Sequence, residues 1–305
     1  MDRTRRVGVL MGGLSAERPV SLKTGAAVAG ALRSRGWDVA EIDVGRDLPS
    51  KLLAERVDVA WIALHGRFGE DGCVQGLLEI MGIPYTGSGV RSSAVAMDKV
   101  ATKRALWGVP GIAMSRDATW SPGGEVPTGL TFPVVCKPSN AGSTFGISKV
   151  DRAEDLPAAL EKAGLLDPVV IVEEYVQGYE ITAPVLDGRA LPIVKISPES
   201  GFFDFEAKYT KGKTVYEVPA PIPAAVAERA QATALAAHQA LGCRGLTRSD
   251  FIVREDGTPV FLEINTLPGM TATSLSPMAA GVVGMSFEDL CEAILASATN
   301  MAPEV

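Results

Sequence analysis

Apolar and polar positions alternate with two different periods over residues 1–90. Short apolar runs predict buried strands, and longer stretches with apolar residues three and four positions apart predict amphipathic helices. The predicted strands cover residues 7–11, 39–44, 59–64 and 83–86, and the helices between them cover residues 19–35, 48–56 and 74–81. Such an alternation of strands and helices is typical of an α/β unit with a parallel sheet.

Two charged, glycine-rich loops follow strands of this predicted sheet. They cover residues 12–17 and residues 65–72. In open parallel sheets ligands bind beyond the carboxyl ends of the strands. Both loops are therefore candidate ligand-binding segments.

The pattern changes after a predicted helix over residues 92–107. That helix is closed by Gly108-Val109-Pro110, and shorter strands broken by proline and glycine follow, which favours an α+β arrangement beyond a boundary between residues 90 and 110. Asp151, with Glu154 three positions later, predicts a capping box at a helix start. Further on, a helix is expected over residues 224–241 and another over residues 286–297.

Residues 246–253 and 260–265 form a predicted β-hairpin, because Asp256-Gly257 between them is a turn signal. A turn centred there pairs Asp250 with Glu263 and Arg248 with Asn265, and places Phe251 and Leu262 together on the opposite face. Like charges in direct opposition destabilise a strand pair. The oxygens of Asp250, Glu263 and Asn265 suit Mg²⁺, which takes few protein ligands beside phosphate and water. The alternative is a solvated face on which Arg248 bridges the two acids.

Composition excludes several functional classes. The 305 residues carry 29 Lys and Arg against 36 Asp and Glu, a net charge of −7 with no basic block, so nucleic acid is not an expected partner. Four cysteines without CxxC spacing favour a reducing compartment, and only two histidines are present, so a structural zinc is not expected. Because no long apolar stretch occurs, we expect a protein without a membrane segment, located in the cytoplasm.

Candidate nucleotide-binding segments lie between these elements. The nearest match to a P-loop, residues 207–214, lacks the first glycine and is rejected. Residues 137–146 instead offer Lys137 and backbone N–H groups of a glycine-rich loop, which fits a flap over phosphates, although such a loop is also common as a plain hairpin connection. Residues 171–176 end a strand with Glu173 and Glu174, which fits adenine and ribose recognition or, alternatively, the charged end of an edge strand.

Six ordered motifs resemble those of the D-alanine–D-alanine ligases, a family of the ATP-grasp superfamily. They are GGLSAERPVS at 12–21, LHGRFGEDG at 64–72, MDK at 97–99, KPSNAGSTFGISK at 137–149, EAKY at 206–209 and EINTLPGMT at 263–271. The resemblance implies an ATP-grasp fold behind an N-terminal parallel-sheet domain. The implied domains are residues 1–97 for substrate binding, 98–176 with the glycine-rich flap, and 177–305 with the metal site and a lid at 200–214.

The resemblance also assigns roles to the residues that match the family motifs. The implied residues for substrate and catalysis are Glu17, Ser143, Tyr209, Arg248 and Gly269, with His65, Ser274 and Leu275 near the second substrate. The implied residues for ATP are Lys99, Lys137, Glu173, Glu174, Val176, Glu180, Phe202 and Lys208. Asp250, Glu263 and Asn265 match the ligands of two Mg²⁺ ions, with Mn²⁺ as a substitute, which agrees with the hairpin argument.

The implied reaction joins two D-alanines through an acylphosphate made from ATP, for synthesis of the peptidoglycan precursor. Tyr209 favours D-alanine over D-lactate as second substrate, since related D-lactate ligases carry Phe at this position. The expected partners are ATP and D-alanine, and a homodimer is expected. The alternatives are another ATP-grasp carboxylate–amine ligase or a non-catalytic nucleotide-binding protein of this fold. A dinucleotide-dependent oxidoreductase is disfavoured because residues 8–13 do not form GxGxxG.

Overall fold

The computed structural model describes residues 2–140, 146–198 and 213–300 of the chain. Its helices are α1 (Arg18–Ser34), α2 (Leu48–Ala54), α3 (Cys73–Ile80), α4 (Val90–Met97), α5 (Lys99–Leu106), α6 (Leu156–Gly164), α7 (Ala224–Ala240), α8 (Leu275–Val282) and α9 (Phe287–Ala296). Its strands are β1 (Arg6–Met11), β2 (Asp38–Asp43), β3 (Val59–Ile62), β4 (Asp117–Trp120), β5 (Val134–Pro138), β6 (Ser148–Val150), β7 (Val170–Glu174), β8 (Tyr179–Leu186), β9 (Arg189–Ala190), β10 (Val194–Pro198), β11 (Thr214–Glu217), β12 (Leu246–Val253) and β13 (Pro259–Asn265).

The N-terminal sheet is parallel, as predicted, with β1 between β2 and β3. Its apolar strand residues are buried under α1 because that helix places small and branched residues such as Val28 and Leu32 against the sheet. The predicted strand at 83–86 is wrong: the segment makes only isolated bridges, from Tyr85 to Ala60 and from Tyr85 to Thr299. Pro84 within it has no N–H to donate to a ladder.

The helix predicted over residues 92–107 is in fact two helices. Asp98 between α4 and α5 has an extended backbone, with φ of −91° and ψ of 109°. Its Oδ1 accepts a hydrogen bond of 3.0 Å from the Ala101 N–H, which caps the first turn of α5. The break therefore gives α5 an N-terminus of its own, with Lys99 as its first residue.

The central sheet is antiparallel, in the order β4-β7-β5-β6, and α6 covers one face of it. The capping box predicted at Asp151 is wrong. A 3₁₀ turn (Ala153–Asp155) precedes α6, and the Asp151 carboxylate pairs with Lys149 at 2.9 Å. The sequence signal failed because Arg152 holds the N-cap position of that turn, which leaves Asp151 one residue too early to cap it.

The C-terminal sheet runs in the order β11-β10-β8-β12-β13, with β9 at the end of β8. One face is packed by α7, whose Ala230, Ala234 and Ala237 allow close approach to β8, β12 and β13. Helix α4 packs here too: Ser92 donates hydrogen bonds of 2.8 Å to the carbonyls of Leu241 and Gly242. The hairpin predicted to bind metal, formed by β12 and β13, lies at one edge of this sheet.

Helices α8 and α9 pack on the N-terminal sheet although they follow the C-terminal sheet along the chain. Leu290 and Ile294 lie in the same buried cluster as Val7 and Val28. At the rim, the Trp37 indole N–H donates to Glu292 at 2.9 Å. Along the described part of the chain, no helix combines the length and apolar character needed to cross a bilayer.

Candidate active site

The β12–β13 hairpin has the predicted register where residues 248–250 pair with residues 263–265. Arg248 lies opposite Asn265 and Asp250 opposite Glu263. A bulge after Asp250 shifts the pairing, so that Phe251 faces Phe261, with ring centroids 5.8 Å apart. The prediction that Leu262 shares the face of Phe251 is therefore wrong, because one residue is inserted there.

Arg248 and Asp250 form a two-pronged ion pair beneath the surface. Arg248 Nε donates to Oδ1 at 2.9 Å and Nη2 donates to Oδ2 at 2.8 Å. The side chains are 17% and 8% exposed, so this is not the solvated face that the alternative interpretation required. Thr182 Oγ1 donates to Asp250 Oδ1 at 2.5 Å, and Asn265 Nδ2 donates to Oδ2 at 3.3 Å. Burial lowers the pKa of Arg248, but Asp250 outweighs burial and raises it.

Glu263, the second acid of the hairpin, pairs with the first lysine of α5. Lys99 Nζ lies 3.4 Å from Glu263 Oε2. A predicted phosphate-binding lysine thus lies beside a predicted metal-binding carboxylate. Cations and oxygen ligands that meet at one place are the groups that a metal–nucleotide complex needs.

Lys137 lies at the end of β5 and is buried against Glu173 of β7, with which it forms an ion pair. Burial raises the pKa of Glu173, but Lys137 and then Lys103 outweigh burial and hold that pKa below its ordinary value. Burial lowers the pKa of Lys137, and Glu173 more than offsets this. Both groups stay charged at neutral pH. The structure places Glu173 against lysines, so its predicted contact with adenine or ribose stays a prediction.

The loop after β5 is fixed to the start of α5 by hydrogen bonds. Ser139 Oγ donates to Asp98 Oδ1 at 2.5 Å, and the Lys99 N–H donates to the Ser139 carbonyl at 3.0 Å. Ser139 is fully buried. These bonds hold Lys99 and Lys137, which come from different elements, in one cluster.

Glu174, Val176 and Glu180 lie along the end of β7 and the start of β8. Glu174 Oε1 accepts a hydrogen bond of 2.8 Å from the Thr131 N–H, which lowers the pKa of Glu174. Val176 is half-buried in the connection, and Glu180 lies in β8 opposite Ile196 of β10. The three residues line the junction of the central and C-terminal sheets, where the predicted nucleotide position lies.

The loops of the N-terminal sheet bring Glu17 and His65 together. Glu17 immediately precedes α1, and Ser15 Oγ donates to the His65 carbonyl at 2.7 Å. Gly66 has a positive φ of 69°, and a Cβ there would lie 3.1 Å from Glu17 Oε1. The close approach of the two loops therefore depends on that glycine.

The His65 ring is buried and hydrogen-bonded to a buried threonine. Its Nε2 lies 3.0 Å from Thr24 Oγ1, and the ring lines a pocket together with Leu267. Burial lowers the pKa of His65 to about 4. The ring is therefore neutral at physiological pH, and it links the N-terminal sheet to the loop that follows β13. The pocket beside it is small and partly open, and it is lined also by Trp61 and Met270.

The loop after β13 carries the remaining predicted substrate residues. A Cβ on Gly269 would lie 3.4 Å from Ser274 Oγ, so the two positions adjoin. Ser274 Oγ accepts a hydrogen bond of 3.1 Å from the Thr271 N–H. Leu275 begins α8 and packs on the N-terminal core.

Some predicted site residues lie outside the described residues. They are Ser143, Phe202, Lys208 and Tyr209, together with most of the predicted lid at 200–214. Their assignments stay predictions.

Two charged residues of the site were not singled out from the sequence. Glu70 Oε2 accepts a hydrogen bond of 2.6 Å from the Gly66 N–H; burial, and then Glu17, raises the pKa of Glu70 to about 8. Lys103 contacts Glu173. The available signals were the position of Glu70 inside the second glycine-rich loop and the position of Lys103 one helical turn after Lys99.

The donor set of the hairpin fits a hard divalent cation. Within the described ranges no three His, Cys, Asp or Glu side chains converge as a metal cluster. Asp250 and Glu263 nonetheless face each other, with the Asn265 amide adjoining them. Mg²⁺ takes oxygen ligands and is commonly bound through one or two carboxylates together with phosphate, so two carboxylates suffice.

The fold consists of three sheets, and the C-terminal hairpin carries two carboxylates close to lysines that are suited to bind phosphate. These features define an ATP-grasp enzyme. Two family models match the chain, the N-terminal part of D-Ala–D-Ala ligase at residues 46–88 and its C-terminal part at residues 112–296. The chain belongs to the D-alanine–D-alanine ligase family.

Individual relatives extend over nearly the whole chain. The D-alanine–D-alanine ligase of Geobacter sulfurreducens is 52% identical over 97% of this chain and 95% of its own. The solved D-alanine–D-alanine ligase of Bacillus anthracis complexed with ATP is 35% identical, with a TM-score of 0.85 over 96% of this chain and 97% of its own. The VanG D-Ala:D-Ser ligase of Enterococcus faecalis is 31% identical, with a TM-score of 0.84 over 96% of this chain and 98% of its own.

Proposed function

We propose that this protein joins two D-alanine molecules into D-alanyl-D-alanine at the expense of ATP, for peptidoglycan precursor synthesis. The observation that carries the proposal is the meeting of Arg248, Asp250 and Glu263 with Lys99 at one end of the β12–β13 hairpin. The long match to ligases of this name supports the choice of reaction.

Lys99 and Lys137 bind the phosphates of ATP in this proposal. Both lysines are held by carboxylates, which positions them before a nucleotide arrives. Phosphoryl transfer to the carboxylate of the first D-alanine depends mainly on such positioning and on charge compensation. Glu174, Val176 and Glu180, with Phe202 and Lys208, hold the rest of the nucleotide. Glu173 adjoins it, while its carboxylate stays paired with Lys137 and Lys103.

Asp250, Glu263 and Asn265 would hold two Mg²⁺ ions, as the family resemblance implies, and Mn²⁺ has the same preference for oxygen ligands. Ions held there would withdraw charge from phosphate oxygens. Both Asp250 oxygens accept hydrogen bonds from Arg248. Asp250 would therefore hold the guanidinium next to the reacting phosphate while it contributes to the metal site.

The second step is attack by the amine of the second D-alanine on the acylphosphate carbonyl. The tetrahedral oxyanion needs donors fixed beforehand, and Arg248 and the Gly269 N–H supply them. Arg248 is suited to this because two hydrogen bonds to Asp250 fix the orientation of its guanidinium group. Phosphate then leaves and the dipeptide forms.

The two amino acids are held by residues from all three domains. Glu17 binds the ammonium of the first D-alanine, with Ser143 and Tyr209 completing the contact between domains. His65 lies near the second D-alanine, and Ser274 and Leu275 receive its carboxylate. Because His65 is neutral and already bonded to Thr24, it orients the pocket and does not provide a positive charge.

The decisive experiment is product analysis with Mg·ATP and single amino acids. Phosphate release and product mass are measured with D-alanine, L-alanine, D-serine and D-lactate. We expect release with D-alanine and a product of the mass of the dipeptide. Release that is independent of any D-amino acid would redirect the assignment to another carboxylate–amine ligase, and nucleotide binding without turnover to a non-catalytic protein.

A matched pair of variants tests the metal site. Asp250→Asn removes a proposed ligand, while Asp256→Asn changes an exposed aspartate in the turn of the same hairpin. We expect Asp250→Asn to lose at least about a hundredfold in kcat and Asp256→Asn to keep it. Turnover that survives a chelator such as EDTA would contradict the metal assignment.

A cytoplasmic location and a homodimer complete the proposal. ATP and the precursors of the cell wall are made in the cytoplasm, and no helix that spans a membrane occurs among the described residues. Light scattering after size exclusion would detect the dimer, and a monomer at micromolar concentration would contradict it.

A further inference from the structure

Lys103 is a buried cation behind the proposed phosphate site. It follows Lys99 by one turn of α5, but it turns toward the central sheet. Its Nζ lies 2.8 Å from Glu173 Oε1 and 2.9 Å from Asp117 Oδ1, and it donates to the Ser115 carbonyl at 2.8 Å. The side chain is 7% exposed and its ammonium group is engaged by protein oxygens, so it offers almost no surface to a nucleotide.

Glu173 is shared between two lysines. Its Oε1 accepts from Lys103 and, at 3.1 Å, from Ser115 Oγ. Its Oε2 pairs with Lys137. One carboxylate therefore compensates two ammonium groups, and Asp117 supplies the balancing charge on the far side of Lys103. Buried charges are tolerated only in such paired arrangements.

This sharing determines how much positive charge Lys137 presents. If Glu173 faced Lys137 alone, the two would form a closed pair and the cation would attract a phosphate less strongly. Lys103 draws one carboxylate oxygen away, which fixes the Glu173 side chain and leaves the charge of Lys137 only partly compensated. Ion pairs in a low-dielectric surrounding are strong enough to have this effect.

We infer that Lys103 is a positioning residue for nucleotide binding: it holds Glu173 so that Lys137 remains available to a phosphate. The inference rests on the proposed function only in that Lys137 binds the nucleotide. Lys103 acts through Glu173 and does not touch substrate.

The test is direct binding of AMP-PNP with Mg²⁺, measured by calorimetry on the full chain. Lys103→Met removes the charge and keeps the length of the side chain. We expect its Kd for Mg·AMP-PNP to rise about tenfold or more, whereas the KM for D-alanine changes by less than about twofold. Lys162→Met, at an exposed lysine of α6, is the matched control and should leave both values unchanged.

A Kd for Lys103→Met within about twofold of the original, or equal rises in both values, would overturn the inference and leave Lys103 a purely structural residue. Asp117→Asn gives a second reading if Lys103→Met does not fold. This variant removes the negative charge of Asp117, so that Glu173 is the remaining carboxylate paired with Lys103. AMP-PNP should then bind at least as tightly as before, and weaker binding would overturn the inference. Because binding is measured without D-alanine, a failure of dipeptide synthesis would count against the proposed function alone.

Discussion

Replacing Arg248 by methionine tests whether the carboxylates of the hairpin form a cation site. The variant keeps an apolar side chain of similar length but leaves Asp250 without its two charged hydrogen bonds of 2.9 and 2.8 Å. Thr182 and Asn265 remain as its partners. Asp250 is 8% exposed, so it is poorly compensated by water.

The expected loss is large because a buried pair is broken on one side only. Removing one partner of such a pair costs about 3–5 kcal/mol of the free energy of unfolding. Arg254→Met is the matched control, since Arg254 lies exposed near the turn of the same hairpin and should change stability by less than about 0.5 kcal/mol. Urea denaturation followed by tryptophan fluorescence measures both.

Mg²⁺ distinguishes a cation site from an ordinary ion pair. In Arg248→Met the ion no longer shares Asp250 with a guanidinium, so it should stabilise the variant more than the original protein. At a concentration one hundred times its Kd for the variant, the ion should stabilise the variant by about 2.7 kcal/mol. The kcat should fall at least about a hundredfold, because a fixed oxyanion donor is lost. Equal stability of Arg248→Met and Arg254→Met, or an equal Mg²⁺ effect on Arg248→Met and the original protein, would refute the reasoning.

Three further predictions concern neighbouring residues. Asp98→Ala removes the cap of α5 and should cost about 1 kcal/mol of stability in urea denaturation and raise the KM for ATP, and an unchanged urea midpoint would contradict the capping role. The pKa of Glu70 is raised to about 8, so this side chain keeps its proton in the folded protein at pH values where the unfolded chain has lost it. The stability of the original protein relative to Glu70→Gln should therefore fall as pH rises from 5 to 8. Parallel pH curves of the two urea midpoints would count against this. Thr24→Val removes the hydroxyl bonded to His65 and should lower the free energy of unfolding by about 1 kcal/mol. If His65 also orients the pocket, the KM for D-alanine should rise, whereas a purely structural role would leave that KM unchanged.

The hairpin was predictable because two simple rules agree on it. A turn at Asp256-Gly257 fixes the register, and the period of a strand then places Asp250 beside Glu263. The bulge was not predictable, since an inserted residue in β13 changes no composition signal. It shows only as the burial of Phe261 in place of Leu262.

The contacts that join distant parts of the chain could not be predicted from residue spacing. Lys103 meets Glu173 across a gap of 70 positions, and His65 meets Thr24 across 41. The motif at 97–99 indicated where Lys99 lies but not that Asp98 ends one helix and caps the next. Local patterns predicted the elements; the tertiary packing that buries Lys103 and neutralises His65 depends on all three sheets.

The packing of α9 on the first sheet has a consequence for biosynthesis. Because Leu290 and Ile294 complete the core that contains Val7 and Val28, the N-terminal unit remains unfinished until nearly the entire polypeptide has left the ribosome. A nascent chain stalled ahead of residue 287 would carry an uncovered apolar face and would be a natural client for chaperones.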